Sequence, residues 1–335
     1  MKTGIYEQIA ANKWKSALLV SLFMAVVVAL GFFVGYLFSY RSGSLGGAVT
    51  GLIIASVIAV IMALVSYYKS DSAALMMSGA REITREEYPY LVNTVEGLAI
   101  AAGLPTPRVY VIDTDAMNAF ATGRDPQHAS IAVTRGLLER CNRLELEGVI
   151  AHEMSHIKNY DIRLMCMVVV LVGFVVIASE LFLRMFIWGG IGGGRRRSGD
   201  GGGEGGIIYL ALLVIGLVFL ILSPIFAQLL QLSISRRREY LADASGAMLT
   251  RYPEGLASAL EKLTVEARPF PHASKATAHL FIVQPFRKEG MQKHPERSSI
   301  WDTHPPVMER IRRLRAMASM DGMFNQAMME ARLQQ

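Results

Sequence analysis

The sequence predicts a mainly α-helical membrane protein, in which four hydrophobic helices accompany a cytoplasmic α+β domain with a small sheet. Three observations lead to this fold class. Of the 335 residues, 52% are hydrophobic and only 19% are charged, whereas a soluble domain is about a quarter charged. Long apolar runs occur in two pairs, and each run is long enough to cross a bilayer. The polar stretch between the two pairs alternates in short segments, as strands do.

The first pair of apolar runs predicts a transmembrane hairpin. Residues 17–38 exceed the ~20 residues that a bilayer requires, and they are too many for the core of a signal peptide. A Gly/Ser-rich turn at 41–47 leads to the second run, 48–68. Three lysines precede the first run and one arginine lies in the turn, so the positive-inside rule places the N-terminus in the cytoplasm. The hairpin then returns the chain to the same side.

Glycines four residues apart occur in this hairpin, Gly31 with Gly35 and Gly47 with Gly51. Such spacing lets helices approach closely, although in glycine-rich spans it is often incidental. The same glycines could bring together two copies of the chain, so a homo-oligomer is an open alternative. The lipid bilayer is a predicted partner in either case.

Residues 70–160 form the first polar stretch that is long enough to fold outside lipid. An amphipathic helix is predicted at 88–102, and it stops at Gly103 before a rigid turn with two prolines. Three short strands are predicted at 108–113, 118–123 and 130–134. A further helix is expected from Gly136 toward Leu144.

A second pair of apolar runs follows at 164–188 and 207–230. Glu180 and Arg184 interrupt the first of them, and such groups lie near the end of a span, pair with each other or face protein. The loop between the runs, 189–206, is rich in glycine and contains three arginines. Two full crossings would leave these arginines outside the cell, whereas a shallow re-entrant hairpin would not. We expect two crossings because both runs are long enough, and the re-entrant alternative stays open.

The chemistry concentrates in His152-Glu153-Met154-Ser155-His156, which has the pattern H-E-x-x-H. On a helix, two histidines four residues apart face the same side and can hold one zinc ion. Glu153 lies beside them, where it can act as the base on a metal-activated water. Leucine, valine and isoleucine residues around the motif supply an apolar stripe at helical spacing. The alternative is a surface helix with two solvated histidines.

A zinc hydrolase has three protein ligands and leaves the fourth position for water. The extension that supplies a third histidine is missing, since Asn159 and Ile162 stand where glycine and histidine are needed. Glu239 is the best candidate for the third ligand, and Asp243, four residues later, shares its helix face. Asp243 would accept a hydrogen bond from a ligand histidine and fix its ring. A solvated Arg/Glu/Asp helix is the alternative.

Asp161 and His304 are weaker candidates. Asp161 lies opposite His152 on a helical wheel, so we expect a contact at the helix end or a contact that supports a ligand rather than ligation. His304 precedes two prolines in a rigid loop, which could present its imidazole to a developing oxyanion. A plain loop histidine is the alternative.

The strand before the motif is the predicted substrate site. The edge of a sheet can hydrogen-bond an extended peptide and lay its scissile carbonyl over a metal. We choose residues 118–122 as that edge, with Asn118, Ala119, Phe120 and Ala121 as substrate-binding residues. An ordinary internal strand is the alternative.

Composition argues against two other classes of site. The net charge is +6, but the basic residues flank apolar runs and form no aromatic-interleaved face, so no nucleic-acid partner is predicted. The two cysteines, Cys141 and Cys166, provide neither a C-x-x-C spacing nor a disulfide framework. We interpret both as reduced packing residues.

Several motifs in series resemble the HtpX family of bacterial membrane zinc metalloproteases, which is similar to the CAAX prenyl endopeptidases. The motifs are two N-terminal spans, Asn118-Ala119-Phe120-Ala121-Thr122-Gly123, the segment 152–161, a second apolar pair, Arg238-Glu239-Tyr240-Leu241-Ala242-Asp243 and Thr303-His304-Pro305-Pro306. The resemblance covers nearly the whole chain. It implies a gluzincin-type catalytic domain, with His152, His156 and Glu239 on one zinc ion and Glu153 as the base. The Gly/Arg loop 189–206 is a departure from what the resemblance leads us to expect.

This interpretation divides the chain into an N-terminal transmembrane hairpin (1–69), a first catalytic part with the H-E-x-x-H helix (70–163), a second hairpin (164–230) and a second catalytic part with the third ligand (231–335). The resemblance implies cleavage of damaged or misfolded membrane proteins at the cytoplasmic face of the bacterial inner membrane. An inactive membrane scaffold or chaperone with a structural metal is one rival, and it would have a filled fourth ligand position. A transporter with a metal sensor is another, but it would be expected to have polar or broken helices at the bilayer midplane.

Overall fold

The structure is a computed structural model that divides the chain into two compact units. It describes residues 5–39, 44–171, 173–174, 180, 184, 214, 218, 236–265, 270, 277, 279–283 and 305–319. One unit comprises Met1–Asn12, Ser70–Cys166 and Gln231–Gln335, and the other comprises Lys13–Lys69 and Met167–Leu230. The polar segments therefore share one unit, and the first twelve residues belong with them.

Two long helices begin the chain, α1 (Ile5–Ser39) and α2 (Gly46–Met77). Both are long and apolar enough to cross a membrane, with a mean hydropathy of 2.8 in their best windows. Each continues past the predicted apolar run because no proline interrupts the flanking residues. Most of the predicted runs 164–188 and 207–230 lies outside the described residues, so the count of four hydrophobic helices stays a prediction.

Glycines hold α1 and α2 at close range. A Cβ atom on Gly35 would overlap the backbone carbonyl of Gly47, and one on Gly31 would lie 2.7 Å from the carbonyl oxygen of Gly51. Any larger residue would force the two backbones apart. This glycine face is thus occupied within the hairpin, and a homo-oligomer, which stays a prediction, would need another surface.

The polar unit contains a mixed sheet whose described strands have the order β1-β2-β4-β3. The strands are β1 (Ala80–Glu82), β2 (Arg108–Ile112), β3 (Ala119–Gly123) and β4 (Ala129–Thr134), and a short 3₁₀ helix (Pro126–His128) joins β3 to β4. β2 and β4 are parallel, and the two outer pairs are antiparallel. The sequence did not predict β1, because three partly exposed residues are too few to show an alternating pattern. β3 forms one edge of the sheet.

Seven shorter helices follow the hairpin: α3 (Pro89–Ala102), α4 (Arg135–Arg140), α5 (Arg143–Lys158), α6 at 161–171, α7 (Arg236–Thr250), α8 (Pro253–Val265) and α9 at 307–319, as far as the described residues extend. α4 ends earlier than the predicted helix toward Leu144. The reason is a capping box, in which Asn142 and Glu145 satisfy each other's backbone N–H groups and start α5.

Helix α5 lies at the centre of the polar unit. It packs against α3, α7, α8 and the edge strand β3, and every residue from Gly148 to Ile157 is buried. Apolar side chains such as Leu91, Ile131 and Leu260 surround it. Polar side chains on a helix buried on all sides require buried partners, and the H-E-x-x-H motif lies in this part of α5.

Candidate metal centre

His152 and His156 are one turn apart on α5 and face the same side. Their Nε2 atoms are 3.2 Å apart, and the residues are 1% and 6% exposed. The i, i+4 spacing explains the common direction, since 3.6 residues make one helical turn. An imidazole nitrogen that has lost its proton can bind a metal ion, so two Nε2 atoms at this separation can share one cation.

Helix α7 brings Glu239 to the same point. Its Oε1 atom lies 3.5 Å from His156 Nε2, and its Oε2 atom lies 4.0 Å from His152 Nε2. The close crossing of α7 and α5 depends on Gly246, where a Cβ atom would lie 2.9 Å from the backbone nitrogen of His152. The carboxylate is 1% exposed and therefore needs positive charge nearby.

These three side chains fit a four-coordinate metal ion. Ligand atoms held at about 2.0–2.1 Å in a tetrahedral shell are about 3.4 Å from one another. The two Nε2 atoms are 3.2 Å apart, and each has an oxygen of Glu239 within 3.5–4.0 Å. Within the described part of the chain, His152, His156 and Glu239 form a cluster whose ligand atoms all lie within 4.8 Å of one another. Two imidazoles and a carboxylate are a donor set that zinc accepts.

A carboxylate faces the other ring nitrogen of each histidine. Asp161, the first residue of α6, has Oδ2 3.0 Å from His156 Nδ1. Asp243 on α7 has Oδ1 3.0 Å from His152 Nδ1. A carboxylate at Nδ1 keeps a proton there and leaves Nε2 available for a metal. Burial alone would lower the pKa of His156, but Asp161 and the charge of Glu239 raise it to about 9, so a metal ion displaces a proton when it binds.

Glu153 is buried beside the two histidines. It is 2% exposed, and its Oε2 atom accepts a hydrogen bond from the backbone N–H of Ala121 at 2.8 Å. Burial raises the pKa of Glu153, although the neighbouring histidines oppose that change. Strand β3 thus fixes one oxygen of the Glu153 carboxylate. Burial makes this carboxylate bind a proton more readily than an exposed glutamate does.

Arg310 is a member of this site that the sequence reasoning missed. It lies on α9, is fully buried, and donates two hydrogen bonds to Asp243, from Nε to Oδ2 at 2.8 Å and from Nη2 to Oδ1 at 2.7 Å. Nη2 is also 3.4 Å from His152 Nε2, and Nη1 is 3.7 Å from Glu239 Oε2. Burial opposes the ionisation of Asp243, but the charge of Arg310 holds the pKa of Asp243 below its usual range.

One signal in the sequence points to Arg310. The buried residues Val307, Ile311 and Leu314 form an apolar stripe at helical spacing on α9. Arg310 falls on that stripe. A single charged residue on an apolar face requires a buried partner of opposite charge, so the pattern could have marked Arg310 as a candidate.

Strand β3 runs beside Glu153. Asn118, just before the strand, accepts a hydrogen bond from the backbone N–H of Thr134 at 3.0 Å and so faces β4. Because successive residues of an antiparallel strand alternate in direction, Ala119 and Ala121 turn their backbone groups away from β4. The contact between Ala121 and Glu153 is made on this outer edge.

The segment 280–283 lies along the same outer edge. The backbone N–H of Ile282 donates to the carbonyl oxygen of Ala119 at 3.0 Å, and the side chain of Asn118 donates to the carbonyl oxygen of Val283 at 2.8 Å. A peptide cannot pair with Ala119 while Ile282 occupies that position.

Two other predicted site residues remain. Phe120 is fully buried and packs edge-on against Phe281, with ring centroids 5.1 Å apart, and its predicted contact with substrate stays a prediction. His304 and the Gly/Arg loop 189–206 lie outside the described residues.

Comparison with known proteins gives consistent matches across the chain. A family model described as "Peptidase family M48" matches residues 85–318. The Protease HtpX homolog of Dictyoglomus turgidum is 51% identical over 252 residues, which are 75% of this chain and 77% of that protein. The Protease HtpX homolog of Caldanaerobacter subterraneus subsp. tengcongensis is 45% identical over 316 residues, which are 94% of this chain and 99% of that protein.

Among solved structures, the crystal structure of S. mikatae Ste24p is similar, with a TM-score of 0.46 and 18% sequence identity, over 91% of this chain and 66% of that one. The family match and the relatives at 45–51% identity agree with a buried cluster of two histidines and a glutamate. The chain belongs to peptidase family M48 and is a metalloprotease.

Proposed function

We propose that the protein is a zinc-dependent membrane endopeptidase that cleaves damaged or misfolded membrane proteins at the cytoplasmic face of the bacterial inner membrane. The observation that carries this proposal is the convergence of His152, His156 and Glu239 beside the buried carboxylate of Glu153. Three protein ligands leave one position for water, and a base lies within reach of that position.

The chain's own residues perform the proton transfers of peptide hydrolysis. When bound by His152, His156 and Glu239, zinc supplies a Lewis acid that acidifies a water molecule and stabilises negative charge on the attacked carbonyl. Glu153 accepts the proton of the attacking water and then passes it to the leaving amine. The backbone N–H of Ala121 keeps the carboxylate of Glu153 in place during both transfers. The hydrolysis is a single displacement without an acyl-enzyme.

Carboxylates and one arginine orient the ligands. The hydrogen bond between Asp161 and His156 Nδ1 fixes the tautomer of His156 that presents Nε2 to the metal. Asp243 lies 3.0 Å from Nδ1 of His152 and supports that ring electrostatically. Arg310 binds both oxygens of Asp243, which keeps Asp243 ionised in a buried position. The sequence assigns oxyanion stabilisation to His304, and that role stays a proposal.

The substrate is an extended polypeptide that pairs with the outer edge of β3. This edge passes Glu153, because the N–H of Ala121 reaches that carboxylate, so a peptide that pairs with the other backbone groups of the edge has its scissile carbonyl near the metal. Pairing at Ala119 also requires the segment 280–283 to move, since Ile282 holds the carbonyl oxygen of Ala119.

The membrane setting rests on α1 and α2, which are long and apolar enough to span a bilayer. The three lysines before the first apolar run favour a cytoplasmic N-terminus. The choice of damaged membrane proteins as substrates follows from the resemblance of the sequence motifs to the HtpX family.

Metal content and cleavage, measured together, test this function. Full-length protein purified in detergent should contain a single zinc ion per chain and should cut an unfolded membrane protein. A chelator should stop the cleavage, and added zinc should restore it. Protein that holds its metal but cuts no unfolded membrane protein would favour the inactive scaffold. Protein that binds no metal after incubation with zinc would refute the proposal.

A further inference from the structure

We propose that Asn12, in the N-terminal part of α1, is a positioning residue for the metal centre: it holds Asp161, which in turn orients the ligand His156. The inference rests on the proposed function, since it concerns how the chain prepares His156 to bind a metal. Residues Met1–Asn12 belong to the same compact unit as the metal centre. The N-terminal part of α1 therefore belongs to the unit that contains the site.

The amide of Asn12 is buried and, among the described residues, is hydrogen-bonded to Asp161, Asn159 and Arg238. The residue is 2% exposed. Its Nδ2 atom donates to Oδ1 of Asp161 at 2.7 Å and to the backbone oxygen of Asn159 at 3.1 Å. Its Oδ1 atom accepts from Nη1 of Arg238 at 2.8 Å. The side chain thus joins α1 to the turn that follows α5 and to the first turn of α7, which also carries Glu239.

The two oxygens of Asp161 have separate partners. Oδ1 accepts from Asn12 at 2.7 Å and from Arg238 at 3.1 Å, whereas Oδ2 lies 3.0 Å from His156 Nδ1. Rotation of the carboxylate would break both bonds at Oδ1, so these bonds keep Oδ2 on the imidazole ring. Without Asn12, Arg238 is the one partner of Oδ1 left among the described residues, and the carboxylate can turn toward that cation and away from His156.

A mechanical tether for α1 is the alternative role of Asn12. Removal of a buried hydrogen-bonded amide costs stability wherever it occurs, but stability alone does not change how His156 meets a metal. Loss of a residue that supports a ligand histidine typically lowers metal affinity about 10- to 100-fold. Metal affinity and ligand-field spectra therefore separate the two roles.

The test compares full-length Asn12→Leu with wild type and with Asn142→Ala, all in detergent. Leucine has the same number and branching of side-chain heavy atoms as asparagine but makes no hydrogen bond. Asn142→Ala removes the N-cap of α5 and lowers stability without contacting Asp161. Zinc affinity is measured by chelator competition, and the geometry at the metal is followed by the visible spectrum of the cobalt(II)-loaded protein. Should Asn12→Leu fail to fold, Asn12→Ala, which places no bulky group against Arg238, takes its place.

We expect Asn12→Leu to bind zinc about 10- to 100-fold more weakly than wild type and to show a changed cobalt spectrum, whereas Asn142→Ala loses thermal stability alone. In the background of Asp161→Asn, the substitution Asn12→Leu should add little, because Asn12 acts through Asp161. Wild-type zinc affinity and spectrum in Asn12→Leu, or losses that add fully with Asp161→Asn, would overturn the inference while the protease function stands. If wild type itself binds no zinc, the proposed function fails first.

Discussion

Arg310 and Asp243 form a buried two-point ion pair beside His152. Nε and Nη2 of the guanidinium lie 2.8 and 2.7 Å from the two carboxylate oxygens, and Arg310 has no exposed surface. The planar guanidinium matches a carboxylate at two points, which an ammonium group cannot do. The pair links α9 through α7 to the H-E-x-x-H helix, so its geometry bears on the position of His152.

Two substitutions of Arg310 should separate the effect of its charge from the effect of its two-point contact with Asp243. Arg310→Lys keeps the charge but loses the two-point contact, and we expect kcat/KM to fall about 10- to 100-fold. Arg310→Met leaves the buried Asp243 without its arginine partner, which should destabilise the protein by about 3–5 kcal/mol. Cleavage assays and thermal unfolding measure the two effects. Arg313→Lys, at an exposed position of the same helix, serves as the control, and wild-type activity in Arg310→Lys would contradict the role of the two-point pair.

Glu153→Gln should abolish cleavage and leave the metal in place. Glutamine has the same shape, and its side-chain oxygen can still accept the N–H of Ala121, but it cannot take up a proton from water. We expect kcat to fall by about 10²–10⁴-fold. Elemental analysis should find the same zinc content in the variant as in wild type. The partly exposed Glu147 on the same helix provides the matched control, Glu147→Gln. Cleavage retained in purified Glu153→Gln, with contaminating proteases excluded, would remove Glu153 from the mechanism.

Glu145 makes the stability of the polar unit depend on pH, away from the metal ligands. Its side chain is 3% exposed and accepts hydrogen bonds from Lys262 Nζ at 2.7 Å and from Ser258 Oγ at 2.8 Å. Burial opposes ionisation, but the hydrogen bonds from Lys262, the Asn142 backbone and Ser258 outweigh it and lower the pKa of Glu145. A carboxyl group with a lowered folded pKa adds stability that is complete above its unfolded pKa of about 4.3 and is lost as pH falls through the folded value.

The variant Glu145→Gln should therefore be less stable than wild type near neutral pH, by about 1–2 kcal/mol. The difference should shrink as the pH falls below about 4. Thermal unfolding of both proteins in detergent, from neutral to acid pH, measures it. Metal loss in acid affects both proteins alike, so the difference between them reports Glu145. A difference that stays constant with pH would show that the charge of Glu145 does not contribute.

The parts of the fold that the sequence predicts are those that neighbouring residues encode. Apolar runs predict α1 and α2, and the i, i+4 histidines predict one face of α5. The meeting of α5 with α7 depends on packing between distant segments, and no local pattern encodes it. The apolar stripe of α9 marks Arg310 as a buried charge, but its partner Asp243 is identified only when α9 is placed against α7. The contact of Ile282 with the edge of β3 was missed because it joins residues distant in the chain.

Gly246 controls the distance between α7 and α5 and with it the distance from Glu239 to the histidines. A Cβ atom at this position would lie 2.9 Å from the backbone nitrogen of His152 and 3.2 Å from its Cα. Backbone atoms cannot swing aside as the end of a flexible side chain can. Gly246→Ala should therefore move α7 outward and weaken zinc binding, although all three proposed ligands are intact. Zinc affinity from chelator competition measures the effect, and Gly246→Val should enlarge it.

Gly97 on α3 provides the matched control for this substitution. A Cβ atom there meets nothing within 4 Å, and alanine is favoured over glycine inside a helix by about 0.5–1 kcal/mol. Gly97→Ala should keep the zinc affinity of wild type and unfold at the same or a higher temperature. Both substitutions add one methyl group to a helix, so a difference in zinc affinity between them reports the contact with α5 and not helix propensity. Equal affinities would mean that the spacing of α7 and α5 does not limit how Glu239 reaches the metal.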